Sequence, residues 1–434
     1  MKKLLLLVFA FLFLFSSSFA QKSYHELQEN ELAESVGMSS ERLKLLDAHI
    51  QKYLDNGTVP GGVFMVMRRG NIVYNKAFGQ QAPGSDKAYA KDDIFRLASM
   101  TKAVTTVAIM QLYEQGELGL DDPISYYIPE FAKSVVMDEY NAADTSYTHV
   151  PAKSPITIRH LLTHTSGITY GLFNPGKIQA VYEKIGANAF GLSHPTMTTR
   201  QMAAKIAEVP LIFQPGERYM YGLNMEVLGA IVEIVSGEAL GQYFKNNIFD
   251  PLGMKDTWFY QPKANHARLV PVCAYNMEAK KLFKNPDPNL NYPLMEDPNH
   301  YAGGGGLSGT AMDYAIFIQA LVNGGTYKGK RILSRKTIEV MTSDQLIKQN
   351  EKGTGYSKDP GMTYGLGFQL KTGPASSLGH KSPGTYEWGG VFNTKFFIDP
   401  AEELTFVGMT QVLPFTRPDF WDRMYAIIYG SIED

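Results

Sequence analysis

Ser99-Met100-Thr101-Lys102 is the one S-x-x-K sequence in this 434-residue chain. A serine hydroxyl is a weak nucleophile until a neighbouring base takes its proton. Three residues apart at the start of a helix, a serine and a lysine share one face. A free lysine has a pKa of about 10.4, so Lys102 needs desolvation or a cationic neighbour to act as that base. The first N–H groups of a helix lack partners within it, which leaves the Ser99 N–H available to an oxyanion. Alone, the motif also fits an ordinary helix start with a surface lysine. Its context favours chemistry: a strand-like lead-in, Ile94-Phe95-Arg96-Leu97, runs into helical periodicity from Ser99 to Gln115, with Gly116 as a stop.

Two further segments carry residue types that would complete such a site. Pro215-Gly216-Glu217-Arg218-Tyr219-Met220-Tyr221-Gly222-Leu223-Asn224 leads into the helical run Val227-Leu228-Gly229-Ala230-Ile231-Val232, and Trp388-Gly389-Gly390-Val391 reads as the opening of a strand that runs to Ile398. In this order the chain resembles the serine β-lactamase and penicillin-binding-protein superfamily. Within it, the class C β-lactamase-related esterases and peptidases are the closer likeness. Arg159-His160-Leu161-Leu162-Thr163-His164-Thr165-Ser166-Gly167 and Gly303-Gly304-Gly305-Gly306-Leu307-Ser308 add to the resemblance, which covers roughly residues 40 to 430. It implies Ser99 as nucleophile, Lys102 as its partner and Tyr221 as the tyrosine that shares in proton transfer. It also implies that Trp388, Gly389 and Gly390 line the substrate site and that the Val391 N–H is the second oxyanion donor. The chain departs from the lactamase pattern twice: Leu223 stands where Tyr-x-Asn has asparagine, with Asn224 one place late, and Trp-Gly-Gly replaces Lys-Thr-Gly. Both departures weaken the case for lactam recognition and leave acyl transfer intact.

These residues need a frame. An amphipathic stripe of Leu43, Leu46, Ile50 and Leu54 predicts a helix over 39–55, followed by a buried strand from Gly62 to Met67 and a return strand from Ile72. Helical patterns and loops fill roughly 120–300, and a helix is expected over 311–322. Strand signals return at 364–370, 391–398 and 404–409, before a final helix over 418–429. The expectation is an α/β protein of the α+β type, β-lactamase-like. One antiparallel sheet, built from both termini and flanked by helices, would carry a mostly helical lobe inserted between them. The domain reading is a leader over 1–20 and one serine hydrolase domain over 32–430.

The leader reading rests on Lys2 and Lys3, the apolar run from Leu4 to Phe15, and Ser18-Phe19-Ala20 ahead of Gln21. A run of that length is too short to span a bilayer, which takes about 20 apolar residues. A cleaved, exported product in the periplasm or the medium is expected, with no stable membrane anchor. At 44% hydrophobic and 19% charged residues the chain is globular, and 41 Lys+Arg against 43 Asp+Glu leaves no basic excess for nucleic acid. Cys273, the single cysteine, excludes an internal disulfide framework.

Several motifs point elsewhere and are set aside. Lys371-Thr372-Gly373 is followed by Pro374, which cannot donate a ladder hydrogen bond, so the Trp388 segment is the better third motif. Gly304-Gly305-Gly306-Leu307-Ser308-Gly309 satisfies G-x-G-x-x-G but follows no strand, so close backbone packing is expected there. His160 and His164 have zinc-ligand spacing, but Leu161 stands where H-E-x-x-H has its base, so they are read as turn-bracing. No G-x-S-x-G occurs. The reading is therefore a serine hydrolase without metal or cofactor, acting on a small-molecule ester or amide. Two alternatives stand beside it: a β-lactamase or D-amino-acid-specific cell-wall peptidase, and a non-enzymatic penicillin-binding-like receptor.

Overall fold

The computed structural model describes residues 25–29, 32–173, 176–187, 192, 196–296, 299–359, 361–373, 379–415, 417 and 419–434. The leader expected over 1–20 lies outside the described residues. Its main sheet is antiparallel throughout. In chain order the strands are β1 (Gly61–Arg68), β2 (Asn71–Gly79), β3 (Met362–Tyr364), β4 (Gln369–Lys371), β5 (Tyr386–Gly390), β6 (Thr394–Asp399) and β7 (Leu404–Met409). Across the sheet the order is β3-β4-β5-β6-β7-β1-β2. The two ends of the chain meet in the β7–β1 ladder, where Val63 faces Met409 and Arg68 faces Leu404.

Strand β1 shows why the sheet is central. All eight of its residues are buried. Val63, Met65 and Met67 enter one apolar core, while Phe64 and Val66 enter another, as alternation across a strand requires. The helices used below are α1 (Leu45–Asp55), α2 (Thr101–Glu114), α3 (Asn224–Ser236), α4 (Ala311–Val322) and α5 (Asp419–Tyr429). Helices α2, α3 and α4 cover the first core, and α1 and α5 cover the second with Leu46, Ile50, Phe420, Trp421, Met424 and Ile428. Thr101 to Leu112 of α2 are all buried, because this helix runs between the sheet and the inserted lobe. A helix so enclosed places its first turn rigidly.

Four expectations need correction. The strand expected over 364–370 is two strands, since Gly367 turns at φ +79° and the Gly365 N–H reaches the Phe368 carbonyl at 2.8 Å. The strand expected over 391–398 begins only at Thr394. Val391-Phe392-Asn393 is a hairpin turn, with Asn393 at φ +66° and its N–H on the Gly390 carbonyl at 3.0 Å. Asparagine tolerates that conformation, so Trp388-Gly389-Gly390 closes a strand rather than opening one. The helix over 39–55 is broken at Lys44. The inserted region also carries small hairpins, Val135–Tyr140 with Tyr147–Pro151 and Cys273–Asn276 with Lys281–Lys284. Among the described residues no single helix is long and apolar enough to cross a membrane.

Candidate active site

Ser99 occupies a single 3-10 turn, Ala98–Met100, that feeds directly into α2. Ala98 is held at φ +46°, a conformation that costs a non-glycine residue about 1–3 kcal/mol. The surroundings hold it there. The Leu97 N–H reaches the Leu307 carbonyl at 2.9 Å, and Tyr314 Oη donates to the Met100 carbonyl at 3.0 Å. Ala98 itself is buried against Val272, Leu290 and Phe392. The result is a half-buried serine between two fully buried neighbours.

Lys102 is completely buried. Its Nζ donates to Ser99 Oγ at 3.2 Å, Tyr170 Oη at 3.0 Å and the Gly304 carbonyl at 2.5 Å, which uses all three donors of an ammonium group. Tyr221 Oη donates to Ser99 Oγ at 2.7 Å. Lys102 Nζ also lies 4.8 Å from the centroid of the Tyr221 ring, within cation–π range. Two side chains, Lys102 from the next turn and Tyr221 from a distant segment, thus converge on the Ser99 hydroxyl.

Tyr221 is placed by its backbone. The Met220 N–H binds the His164 carbonyl at 2.8 Å and the Tyr219 N–H the Thr354 carbonyl at 2.9 Å. At Gly222 a Cβ would stand 2.2 Å from the Ile168 carbonyl oxygen, so only glycine allows this close approach. Asn224, one place late for Tyr-x-Asn, is fully buried. Its Oδ1 accepts from Ser166 Oγ at 2.5 Å, and its Nδ2 meets His164 Nδ1 at 2.8 Å. It therefore clamps the 164–168 loop beneath Tyr221. Burial, with Lys102 adding to it, holds the His164 pKa well below its ordinary value, so its ring is neutral. The helix Ile158–Leu162 ends before His164, which turns at φ +54°. His160 lies in that helix and caps it, with Nδ1 accepting the Thr157 N–H at 3.2 Å. The two histidines therefore do not share a helix. Among the described residues no three His, Cys, Asp or Glu side chains are grouped to hold a metal ion.

Strand β5 brings the third segment alongside. A Cβ on Gly390 would lie 2.4 Å from the Leu97 carbonyl oxygen and 3.3 Å from the Ala98 methyl. The strand end therefore lies against the turn that carries Ser99. Gly389 is crowded by the Thr394 carbonyl and the Lys395 side chain. Val391, next along, is half exposed, and neither its N–H nor that of Ser99 bonds to another described residue. Trp388 projects to the α2 side, with its ring 5.4 Å from Tyr221 and 5.4 Å from Tyr364. Three lysines near this strand in the sequence, Lys371, Lys381 and Lys395, do not stand beside Trp388. Lys395 pairs with Gly389 and so occupies the opposite face from Trp388, and Lys381 binds Glu387 and covers the Tyr425 ring on that same side. Lys371 binds the Lys381 carbonyl. It lies three residues beyond the position level with Trp388, about 10 Å along the strand.

Residues 46–429 match the Beta-lactamase family. The chain belongs to the beta-lactamase family. It is similar to Esterase EstB of Burkholderia gladioli, 29% identical over 84% of this chain and 89% of that one. Lovastatin esterase of Penicillium rubens is 29% identical over 85% of this chain and 93% of its own length. The solved structure of EstCE1, "a hydrolase with promiscuous acyltransferase activity", has a TM-score of 0.77 and 26% identity, covering 90% of this chain and 99% of that one. This chain is a serine hydrolase of that family.

In this beta-lactamase-family enzyme, sequence reasoning missed Tyr170, the Gly304 carbonyl and Glu226. No spacing singles out one of 25 tyrosines, and a carbonyl has no sequence signal. In the sequence the glycine run points to the resemblance and to close packing, but not to a contact with Lys102. A Cβ at Gly304 would lie 2.6 Å from Glu226 Oε1, 3.3 Å from Lys102 Nζ and 3.4 Å from Tyr170 Oη, so glycine opens the space where these groups meet. Thr105 Oγ1 binds the Gly303 carbonyl at 2.6 Å and pins the run to α2. Burial holds the Tyr170 phenol well above its usual pKa, with Tyr221 and Glu226 adding to the shift.

Glu226 is fully buried in the first turn of α3. Its Oε1 accepts the Gly304 N–H at 2.8 Å, and Oε2 lies 3.9 Å from His300 Nε2. Burial pushes its pKa up to about 8, against the pull of Lys102 and the Gly304 N–H. The unfolded chain releases this proton above about 4.5. The resulting stability is therefore complete below that pH and is lost as pH rises toward 8, at up to about 1.4 kcal/mol per pH unit. Glu226→Gln keeps the acceptor but cannot ionise. Its Tm should fall less steeply than that of the wild type between pH 5 and 8. Parallel Tm profiles would show instead that the carboxyl is ionised throughout that range.

Proposed function

We propose that this enzyme is an exported carboxylesterase that acts through an acyl-enzyme on Ser99 and takes esters of uncharged, apolar acyl groups. The observation that carries this reading is the convergence of Tyr221 Oη and Lys102 Nζ on Ser99 Oγ at 2.7 and 3.2 Å. In the first half-reaction the Ser99 proton passes to the Tyr221–Lys102 pair as Oγ attacks the ester carbonyl. The Ser99 and Val391 N–H groups receive the oxyanion. The same pair returns the proton to the departing alcohol, leaving an acyl-serine. Water, deprotonated by the pair, then releases the carboxylic acid and restores Ser99. The esterase names of the relatives support the ester over the amide.

The surroundings support an apolar acyl group. Trp388, Tyr221, Tyr364, Tyr356 and Phe173 form a wall of rings beside Ser99. In lactam-recognising relatives the position of Trp388 carries a lysine that faces the substrate carboxylate. An indole offers one N–H and a broad apolar face. A charge-assisted hydrogen bond is worth roughly 1.5–3 kcal/mol, or about one to two decades in kcat/KM. The enzyme should therefore prefer nitrophenyl butyrate to a chromogenic cephalosporin, and Trp388→Lys should narrow that ratio by about one to two decades. A wild-type preference for the cephalosporin would overturn the ester reading. The leader supports export. The N-terminus of protein recovered outside the cytoplasm should begin at Gln21, and an intact Met1 would overturn this part.

A further inference from the structure

Arg96 lies three residues before Ser99 and is 3% exposed, yet no carboxylate among the described residues comes within ion-pair distance of it. Its Nε donates to the Leu290 carbonyl at 2.6 Å and its Nη1 to the Val270 carbonyl at 2.6 Å. Nη2 has no hydrogen-bond partner among the described residues. Buried charges are ordinarily paired, because an uncompensated ion in a low-dielectric surround is costly. This guanidinium instead lines two adjoining cavities of about 380 and about 450 Å³, which share Arg96, Pro271, Lys284 and Asn291. Neither cavity includes Ser99, Lys102, Tyr221 or Trp388.

The walls define a ligand. Val272, Leu290, Leu269 and Leu294 supply apolar surface. The charged groups are Arg96 at the base, Lys284 at the exposed rim and Asp287. Asp287 is also exposed, and its Oδ1 accepts the Asn289 N–H at 2.9 Å. The balance is one positive charge. The volumes are those of small-molecule pockets, too large for an inorganic ion alone. We propose that these cavities form a second binding site, distinct from the acyl site, for an organic monocarboxylate whose carboxylate meets Arg96 Nη2 and Lys284 Nζ and whose apolar body lies on Val272 and Leu290. Val272 and Leu290 pack on Ala98 and Phe392, so the occupant lies one side chain behind the nucleophile turn and the oxyanion turn.

The test is calorimetric titration of the full chain with hexanoate, with 1-hexanol and inorganic phosphate as comparison probes, at constant ionic strength. Arg96→Met removes two carbonyl anchors and can fail to fold, so the deciding variant is the exposed rim substitution Lys284→Glu. Hexanoate should bind the wild type at least tenfold tighter than 1-hexanol or phosphate. Lys284→Glu should weaken it at least tenfold, consistent with loss of a charge-assisted contact, while ester turnover persists. Trp388→Ala, which alters only the acyl site, should leave the hexanoate Kd unchanged. Equal affinity for hexanoate and 1-hexanol would overturn the proposal, as would phosphate binding equal to hexanoate. Binding unaffected by Lys284→Glu but abolished by Trp388→Ala would place the ligand in the acyl site and overturn it too. None of these outcomes depends on Ser99 being the nucleophile.

Discussion

Ser99→Ala is expected to remove ester turnover, by on the order of 10⁶ in kcat, because the nucleophile of a working unit is lost with its whole mechanism. The fold should tolerate the change. Ser99 is only half-buried, and Lys102 Nζ keeps its bonds to Tyr170 and Gly304 when the hydroxyl is removed. The strained Ala98 turn is held by Leu97, Tyr314 and the Val272 cluster rather than by the serine side chain. The measurement is kcat on nitrophenyl butyrate beside Tm. Activity above a hundredth of wild type, with contaminating esterase excluded, would sink the assignment of Ser99. A collapsed Tm would instead mean that the loss came from unfolding, and Ser99→Gly would then decide.

Lys102→Met and Tyr221→Phe should each cost at least about 10³ in kcat/KM, at the upper part of the range for general acid–base groups. The double variant should cost little more than the worse single. The reason is geometric. Tyr221 Oη is 2.7 Å from Ser99 Oγ, while Lys102 Nζ lies 3.2 Å from that oxygen and 4.8 Å from the Tyr221 ring centroid. Both side chains bond to the one hydroxyl whose proton must move, so removing either breaks the same transfer. Residues that act as one unit are strongly non-additive. Additive losses across the cycle would show that the two side chains work independently. Methionine keeps the buried volume of Lys102, and Tm for each variant separates lost chemistry from lost packing.

Much of the site is local in origin and could be read in the chain. Ser99 and Lys102 share a helix start, and their three-residue spacing by itself brings the hydroxyl and the amine to one face. Gly389 and Gly390 stand where only glycine fits against Thr394 and Leu97. The continuous apolar run in β1 carried its own explanation, a strand covered on both faces. The position of the hairpin turn was misread because Val391 and Phe392 look like strand residues. What stops β5 is Asn393 in the left-handed region, which composition does not announce.

Other features have no local signal at all. The face of the sheet that each lysine occupies follows from pairing register, and one step of register would have moved Lys395 to the side of Trp388. Tyr170 meets Lys102 across 68 residues and Glu226 meets Gly304 across 78, contacts that exist only because these segments pack around the start of α2. Periodicity in the amino-acid sequence by itself determined the sheet made from both chain ends, and short-range spacing brought Ser99 and Lys102 together, whereas Tyr221 followed only from the family resemblance. Tertiary structure alone decided which carbonyl and phenol hold Lys102, which side of the sheet Lys381 and Lys395 occupy, and that Arg96 is buried with no carboxylate of the described residues within ion-pair distance. Each of those depends on contacts between segments far apart in the chain, and burial and electrostatic environment exist only once such segments have packed.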